Sequence, residues 1–318
     1  MTVALVTGPT GQDGGYLVER LLGEGCEVHG LVREEDRGDP VPDGLVVHAG
    51  DLADTSGLAD LVARVAPDEV YSLGGVSSVA RSWQDPLGTS RVNGTAPLVL
   101  LEAARGVQER TGREVRVLQA ASAEIFGEPA TSPQDEDTPV RPSSPYGAAK
   151  AFAHHAVGIA RARGQYATSL VLYNHESPRR PEGFVTRKIT RTVAEIAAGR
   201  ADRLVLGNLD ARRDWGWAPD YVDAMVRALR HDSPDDYVVA TGQAHTVRDF
   251  VAAAFARAGV PDWEGRVEVD PALLRPADPS VLVGDASRAR TRLGWSTSVT
   301  FEQVVARMVD AEDVGTGR

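Results

Sequence analysis

Four residues near the middle of the chain carry side chains that together could oxidise an alcohol and remove a proton from carbon. Tyr146 and Lys150 are separated by one helical turn, and Ser122 and Glu124 precede them. Because residues i and i+4 of a helix share a face, the ammonium group of Lys150 would favour the Tyr146 phenolate and lower the tyrosine pKa. Such a phenol can accept a proton from a substrate hydroxyl while a hydride leaves the same carbon. Glu124 adds a second possible base, which plain alcohol oxidation does not require.

The Tyr-x-x-x-Lys spacing alone is common on helix surfaces, so its meaning depends on the elements that position it. The apolar run 2–7 predicts a buried parallel strand, and a glycine turn and a helical pattern follow it directly. Strand, glycine turn and helix form the context of a dinucleotide-binding fingerprint. Gly8 would permit the tight turn, Gly11 would let the backbone approach the pyrophosphate, and Gly14 would allow close helix packing. The cofactor-binding residues predicted in this turn are Gly8, Thr10, Gly11, Gln12, Asp13 and Gly14.

The end of the second predicted strand, 27–33, bears on the choice of cofactor. An acidic residue there would bind the ribose 2′-hydroxyl of NAD. Val32 occupies that position and Arg33 follows it, which suits a 2′-phosphate and favours NADP over NAD. Glu34 and Glu35 would repel the same phosphate. The ends of the next strands predict further cofactor contacts at Asp51 and Leu52, near the adenine, and at Leu73 and Gly74.

Strand and helix patterns alternate through about residue 173, which predicts an α/β fold with a doubly wound parallel sheet of the Rossmann type. The elements beyond this point are shorter and richer in arginine. We therefore expect residues 1–173 to form the cofactor-binding domain and residues 174–318 to form a smaller α/β substrate lobe, some of whose elements return to the first domain. Ligands bind at the carboxyl ends of parallel strands, which places Ser122 and Glu124 beside the cofactor.

The composition limits the classes of function. The chain has 318 residues and a net charge of −11, which argues against a surface that binds nucleic acid. Cys26 is the only cysteine and the seven histidines lack metal-ligand spacing, so neither a disulfide nor a metal site is expected. The chain starts in a strand and holds no apolar run long enough to cross a membrane. We therefore expect a cytoplasmic enzyme without membrane partners.

Several long blocks of sequence resemble the GDP-mannose 4,6-dehydratase family. These blocks are residues 7–14, 27–30, 174–180, 184–189, 206–216 and 240–243. The likeness spans almost the whole chain and is more specific than the fingerprint alone, whose Gly-x-x-Gly-x-x-Gly spacing resembles that of extended short-chain dehydrogenases. The resemblance implies a nucleotide-diphospho-sugar substrate, GDP-mannose, and an NADP cofactor that is regenerated in each turnover.

The resemblance also implies roles for individual residues. Tyr146 would accept the proton of the sugar 4-hydroxyl, Lys150 would bind the nicotinamide ribose, and Ser122 would hydrogen-bond the 4-oxygen. Glu124 would remove the C5 proton that the 4-ketone acidifies, after which water leaves from C6 and the hydride returns there. The implied substrate-binding residues are Ser77, Glu176, Leu206 and Gly207, with Asn174, Lys188, Arg213 and Arg275 for the pyrophosphate and nucleoside, Val185 for the base, and Asp278 near the nucleoside ribose.

The sugar end of the predicted site departs from the family pattern. The family usually has Thr-Ser-Glu at residues 122–124, where this chain has Ser-Ala-Glu, and Ala-Ala-Gln-Ser-His at residues 74–78, where this chain has Gly-Gly-Val-Ser-Ser. Ala123 and Val76 thus lack polar side chains, which keeps open a related nucleotide-sugar reductase or epimerase. A nucleotide-sugar-binding protein without activity is a third hypothesis, against which the four retained catalytic side chains argue.

The resemblance bears on assembly as well. The family typically has two consecutive arginines and a long segment after the second strand, which helps to join dimers into tetramers. Here Glu34 follows Arg33, and the stretch to Gly50 is much shorter. We therefore predict a homodimer in which helices over residues 84–107 and 146–163 form a four-helix interface.

Overall fold

The computed structural model describes residues 1–36, 38, 40–273 and 281–312. Its strands are β1 (Val3–Thr7), β2 (Glu27–Val32), β3 (Val46–Ala49), β4 (Glu69–Ser72), β5 (Arg116–Ser122), β6 (Ala167–Leu172), β7 (Asn174–Glu176), β8 (Leu204–Leu206), β9 (Arg212–Arg213), β10 (Trp215–Trp217), β11 (Asp236–Val239), β12 (His245–Thr246), β13 (Val267–Val269) and β14 (Val281–Leu282). Seven of these strands form one parallel sheet in the order β11-β6-β5-β4-β1-β2-β3. The predicted doubly wound parallel sheet is therefore confirmed.

The helices either cover the two faces of this sheet or pack together in a separate lobe. They are α1 (Gln12–Gly23), α2 (Thr55–Val65), α3 (Val79–Gln84), α4 (Pro86–Ser90), α5 (Ala96–Thr111), α6 (Pro145–Ala162), α7 (Val185–Ala197), α8 (Ala218–Leu229), α9 (Val247–Arg257), α10 (Ser287–Leu293) and α11 (Phe301–Asp310). Within the described ranges, every helix is too short or too polar to span a bilayer.

Two apolar layers enclose the sheet because its strands bury side chains on both faces. Helices α1, α8 and α10 pack on one face, where Leu17, Met225 and Leu293 belong to one buried cluster. Helices α2, α5 and α6 pack on the other face, where Leu58 and Leu100 belong to a second cluster. The burial of both faces explains why the strands read as continuous apolar runs rather than as alternating ones.

A separate buried cluster lies among α7, α9 and α11 and includes Trp215, Phe250 and Phe301. The Trp215 ring meets the Phe250 ring edge-on, with centroids 5.4 Å apart. The chain does not stay in this lobe after residue 174, because β11 adds to the edge of the main sheet beside β6. The division of the chain at residue 173 stays a prediction.

A loop between β5 and α6 fastens the sheet to the later part of the chain. Gln134 in this loop is fully buried. Its side-chain Oε1 accepts hydrogen bonds from the Tyr173 hydroxyl at 2.9 Å and from the Val283 amide at 3.2 Å. Its backbone amide donates to the Val283 carbonyl at 2.8 Å. This loop therefore fixes the end of β6 and the segment after β14 relative to each other, next to Tyr173 and Leu282, which line the cleft described next.

Candidate active site

A cleft with a volume of about 340 Å³ opens at the carboxyl ends of β4, β5 and β6. This is the edge of a parallel sheet at which ligands bind. The predicted site residues that line the cleft are Asp13, Leu73, Ser77, Ser122, Glu124, Tyr146, Lys150, Asn174, Glu176, Val185 and Arg213. The structure thus brings together residues from both halves of the chain.

The start of helix α6 places the two predicted catalytic residues of the Tyr-x-x-x-Lys motif. Ser144 caps this helix by accepting a hydrogen bond from the Gly147 amide at 3.0 Å, and Pro145 occupies the first helical position. Tyr146 therefore lies in the first turn and Lys150 in the next, and both are buried. The Lys150 ammonium donates to the Ala120 carbonyl at 2.8 Å, which joins the helix to the end of β5.

Ser122 and Glu124 approach this helix from the end of β5. Ser122 is the last residue of the strand, and its hydroxyl oxygen accepts a hydrogen bond from the Glu124 amide at 3.3 Å. The same hydroxyl is hydrogen-bonded to the Tyr146 phenol. Ser122 is thus positioned between the predicted base on α6 and the predicted base at Glu124.

The electrostatics of Tyr146 differ from the sequence-based expectation. Burial raises the pKa of Tyr146 to about 12, the Glu124 charge adds to the rise, and the hydrogen bond with Ser122 opposes it. Burial also lowers the pKa of Lys150 to about 8. Lys150 Nζ lies 5.9 Å from the centre of the Tyr146 ring and points to a carbonyl, so desolvation outweighs the stabilisation that the helical spacing predicts.

The glycine turn has the close approaches expected of a backbone cradle. Gly8 has a φ of +71°, and a Cβ atom there would lie 2.9 Å from the Cα of Gly74. A Cβ atom at Gly14 would lie 2.0 Å from the Gly8 carbonyl oxygen. The Thr7 hydroxyl accepts the amides of Leu73 and Gly74 at 3.1 and 2.9 Å, which holds the ends of β1 and β4 together. The helix begins after Gly11, which has no side chain with which to cap its amides.

The side chains of Gln12 and Asp13 bind strand β7 and the residue after it. Gln12 donates to the His175 carbonyl at 3.0 Å and accepts from the Ser177 hydroxyl at 2.8 Å. Asp13 Oδ2 lies 2.8 Å from His175 Nε2, and His175 Nδ1 lies 2.7 Å from the Tyr173 carbonyl oxygen. These side chains therefore tie the glycine turn to the second half of the chain, while their backbone remains part of the turn.

Both ring nitrogens of His175 face oxygen atoms, which favours a doubly protonated ring. Burial opposes the charge, but the Asp13 carboxylate and its hydrogen bond raise the pKa of His175. Burial likewise opposes ionisation of Asp13, but the charges of His175 and Arg180 hold its carboxyl pKa below the usual value. His175 and Arg180 line the cleft; His175 was not predicted as a site residue, and Arg180 was predicted only as part of an arginine cluster that favours anion binding. Their signal was the polar block 174–180, from which only Asn174 and Glu176 were chosen.

Glu176, one of the predicted substrate-binding residues, is an almost completely buried acid. It accepts a hydrogen bond from the Thr186 hydroxyl at 2.6 Å, and Arg180 Nε lies 3.3 Å away. Burial raises the pKa of the Glu176 carboxyl, although the Arg180 charge opposes the shift. Arg213 is also buried, and its guanidinium donates to the Arg212 carbonyl at 2.8 Å.

Three further predicted substrate-binding residues, Lys188, Leu206 and Gly207, lie away from the lining of the cleft. Lys188 is exposed on α7, one turn after the cleft residue Val185. Leu206 ends β8, and a Cβ atom at Gly207 would lie 2.9 Å from the Leu273 carbonyl oxygen. The predictions at Arg275 and Asp278 lie outside the described residues.

The predicted adenosine end of the cofactor site lies at the ends of β2 and β3. Arg33 is exposed, and its guanidinium pairs with Asp36 at 2.6 Å and with Glu35 at 2.5 Å. Asp51 accepts the amide of Ala53 at 2.8 Å, and Leu52 packs toward Gly74. Thr10 is exposed in the glycine turn. The roles of these residues stay predictions.

Comparisons with known proteins agree with this geometry. The family model described as GDP-mannose 4,6 dehydratase matches residues 5–308. GDP-mannose 4,6 dehydratase 1 of Arabidopsis thaliana is 46% identical over 324 residues, which cover 98% of this chain and 89% of the relative. GDP-mannose 4,6 dehydratase of Homo sapiens is 40% identical over 340 residues, which cover 98% of this chain and 91% of the relative.

Solved structures of related fold cover nearly the whole chain. UDP-glucose 4-epimerase of Thermus thermophilus, in complex with NAD, aligns with a TM-score of 0.84 and 29% identity over 98% of this chain and 99% of that chain. RMD from Pseudomonas aeruginosa, complexed with NADPH, aligns with a TM-score of 0.80 and 24% identity over 98% and 99%. The second likeness concerns the fold alone. The family match and the full-length relatives together establish that this chain belongs to the GDP-mannose 4,6-dehydratase family.

Proposed function

We propose that the protein is a GDP-mannose 4,6-dehydratase, which converts GDP-mannose to GDP-4-keto-6-deoxymannose with loss of water. The observation that carries the proposal is the cleft in which Ser122, Glu124, Tyr146 and Lys150 meet, in a chain of this family. Plain oxidation requires only the tyrosine, lysine and serine. Glu124 supplies the additional base that elimination of water requires.

The glycine cradle fits a nicotinamide dinucleotide, and we propose NADP. Gly8 packs closely on Gly74, and Gly14 packs closely on Gly8. Because these glycines have no side chains, the backbone at the start of α1 is open to a pyrophosphate. When bound, this cofactor would accept a hydride from C4 of the sugar and later donate it to C6. Arg33 would bind the 2′-phosphate, for which it has to exchange its contacts with Glu35 and Asp36.

Tyr146 would take the proton from the sugar 4-hydroxyl, and Ser122 would hydrogen-bond the same oxygen. The pKa of about 12 makes the phenol neutral at pH 7, so proton removal needs positive charge beside the ring. Lys150 would provide part of that charge from the next turn of the helix. Its contact with the Ala120 carbonyl keeps the ammonium group at the end of β5.

Glu124 would remove the C5 proton and deliver it to the hydroxyl that leaves from C6 as water. When the hydride then adds to C6, C5 would take up a proton that balances the one Tyr146 took from the 4-hydroxyl. We assign both steps to this residue because Ala123, its buried neighbour in the cleft, has no proton to give. Asn174, Lys188, Arg213 and Arg275 would hold the pyrophosphate and nucleoside, with Val185 on the base and Asp278 near the ribose.

Mass spectrometry of GDP-mannose incubated with the purified protein and catalytic NADP tests the proposal. We expect a product lighter by one water, and we expect Glu124→Gln to abolish its formation. Glu114→Gln, at an exposed glutamate at the opposite end of β5, serves as the matched control. Unchanged GDP-mannose with the parent protein would contradict the proposal.

A related reductase or epimerase is the alternative that Ala123 and Val76 support. A reductase would consume NADPH in proportion to product, whereas a dehydratase regenerates its cofactor. An epimerase would give a product of unchanged mass and would keep its activity in Glu124→Gln. The mass measurement therefore separates the dehydratase from both alternatives, and stoichiometric NADPH consumption identifies the reductase.

We also propose that the protein forms a homodimer through helices α5 and α6. Large apolar side chains are exposed on and beside these helices, at Trp83, Leu87, Leu98, Phe152 and Ile159. Phe152 and Ile159 are two turns apart on α6 and share one face of the helix. A second copy of the same surface would cover them. A cytoplasmic location stays a prediction from the sequence.

A further inference from the structure

One buried amide holds the loop that forms part of the cleft wall after β4. Asn93 is 1% exposed. Its Oδ1 accepts the Val76 amide at 2.8 Å, and its Nδ2 donates to the Val76 carbonyl at 2.8 Å. Gly75, Val76 and Ser77 all line the cleft. Both backbone polar groups of Val76 are therefore fixed by a single side chain.

Gly75 and Asn93 fit each other sterically. A Cβ atom at Gly75 would lie 2.6 Å from Asn93 Oδ1, which is closer than real Cβ contacts come. An alanine at position 75 would therefore push the amide away from Val76 or displace the loop. The absence of a side chain at position 75 is a condition for the two hydrogen bonds that Asn93 makes.

The helical turn that carries Asn93 also packs against α6, the helix of Tyr146 and Lys150. Asn93 lies in a widened π-helical turn, Arg91–Thr95, between α4 and α5. The next residue, Gly94, packs against α6, where a Cβ atom would lie 3.3 Å from Phe152 Cδ1 and 3.5 Å from the Ala149 carbonyl oxygen. Ala149 immediately precedes Lys150. The loop and the catalytic residues of α6 are therefore held in register by one helical turn.

A second contact links the same segment to Tyr146. Helix α3 continues from the loop, and its buried Ser82 accepts the Tyr146 backbone amide at 3.1 Å. The Ser82 hydroxyl donates to the Val79 carbonyl at 2.7 Å. A shift of the loop would therefore be transmitted to the first turn of α6.

We propose that Gly75 and Asn93 form a fitted pair that positions the Val76–Ser77 backbone at the sugar end of the cleft and so sets the selectivity for the sugar. Asn93 acts through the loop and is a positioning residue. The inference rests on the proposed function, since it assigns the loop to the sugar rather than to the nucleotide. It also explains how the loop can hold one position although Val76 has no polar side chain: Asn93 fixes the loop through the Val76 backbone.

The test uses Asn93→Ala, Gly75→Ala and the double variant, with Gln108→Ala as the matched control. Gln108 also accepts a backbone amide, from Val115, at the end of β5 opposite the cleft. We expect Asn93→Ala to raise KM for GDP-mannose about tenfold, as expected for the loss of one or two buried hydrogen bonds. GDP affinity should stay within about twofold of the parent value, because the nucleotide end is untouched. Hydrogen exchange at the Val76 amide should accelerate about tenfold or more.

Coupling between the two positions is the sharper measurement. Gly75→Ala should reduce kcat/KM strongly in the parent background but much less in the Asn93→Ala background, because truncation of Asn93 removes the oxygen that the new methyl group would meet. Asn93→Asp keeps the acceptor but sets a second carboxylate oxygen against the Val76 carbonyl oxygen, so it should raise KM at least as far as Asn93→Ala. If Asn93→Ala does not fold, faster exchange of the Val76 amide in Gly75→Ala tests the same contact.

Equal effects of Gly75→Ala in both backgrounds, or unchanged Val76 exchange in Asn93→Ala, would overturn the inference. So would a parallel loss of GDP and GDP-mannose affinity, since that would indicate general unfolding of the site. If the parent protein does not dehydrate GDP-mannose, the proposed function fails. Amide exchange at Val76 still decides whether the pair exists, as does the comparison of the double variant's free energy of unfolding with the sum of the two single effects.

Discussion

The buried Asp13–His175 pair makes the junction between the glycine turn and β7 dependent on pH. The pKa of His175 is raised from 6.5, so its contribution to stability is complete below pH 6.5 and is lost as pH rises through the folded-state value. The pKa of Asp13 is lowered from 3.8, so its contribution is present above pH 3.8 and is lost as pH falls through the folded-state value. The pair therefore stabilises the folded protein most between these limits.

We expect Asp13→Asn to reduce the free energy of unfolding most between about pH 4 and pH 6.5 and to reduce it less as the solution becomes alkaline. Urea denaturation across this range, for parent and variant, measures the difference. Asp60→Asn, at an exposed position on α2, is the control. A difference that stays constant from acid to alkaline pH would show that the two residues do not share a charge pair.

Lys150 illustrates a cost to stability at the predicted catalytic centre. Burial holds the pKa of its ammonium at about 8, below the 10.5 of an unperturbed lysine, so the unfolded state binds more protons between these values. We expect parent stability to gain from Lys150 as pH rises from about 8 to about 10, and Lys150→Met to lack this gain. The same variant should lose at least about 100-fold in kcat. A variant that is as active as the parent would contradict the assigned role.

The pKa of Tyr146 is a property of the site that residue spacing alone cannot predict. The Tyr-x-x-x-Lys motif correctly predicted that both residues lie on one helix and face one cleft. It predicted a lowered Tyr146 pKa because spacing reports the distance between charges but not the desolvation of the phenol. His175 was missed for a similar reason, since its partner Asp13 is 162 positions away in the sequence.

At the scale of elements, the glycine turn and helix α1 give a matched pair of substitutions. Gly14→Ala would place its methyl carbon 2.0 Å from the Gly8 carbonyl oxygen, so the helix has to move away from β1. Gly23→Ala at the other end of the same helix meets open space. We expect Gly14→Ala to lower stability by about 2 kcal/mol or more and to abolish cofactor binding. Gly23→Ala should be neutral or stabilising by up to about 1 kcal/mol.

Thermal unfolding and a fluorescence titration with NADPH measure both effects. Equal behaviour of the two variants would show that α1 does not need its close approach to the turn, and the predicted cofactor site would then lose its main steric support.

The alternation of elements was predictable because parallel strands buried on both faces leave an unambiguous apolar pattern, as in the run 2–7. The contacts at the predicted adenosine end of the cofactor site were less predictable. Arg33 was predicted from its place after the second strand, but its contacts with Asp36 and Glu35 depend on a turn of the chain that spacing does not specify. The clamp between Asn93 and Val76 was also outside the reach of the sequence, because it joins a helical turn to a loop 17 residues earlier.

At the scale of the whole molecule, the exposed face of α6 argues for assembly. Phe152 is 51% exposed and Ile159 is 62% exposed, and both lie on the helix that carries Tyr146 and Lys150. Their burial against a second copy would supply free energy through the apolar area removed from water, at about 25 cal/mol per Å². It would also make the position of α6, and hence that of the predicted catalytic residues Tyr146 and Lys150, depend on the dimer.

We therefore expect the double variant Phe152→Glu and Ile159→Glu to be a monomer at concentrations where the parent is a dimer, because two charges on each copy would face an apolar surface. Sedimentation equilibrium measures this change. Val46→Glu, at an apolar residue of similar exposure on β3, is the control and should leave the mass unchanged. The activity of the monomer should fall with its stability, since the same helix carries both the interface and the predicted proton acceptor. A parent protein that sediments as a monomer would contradict the proposed dimer. A double variant that remains a dimer would show that the interface does not include this face of α6.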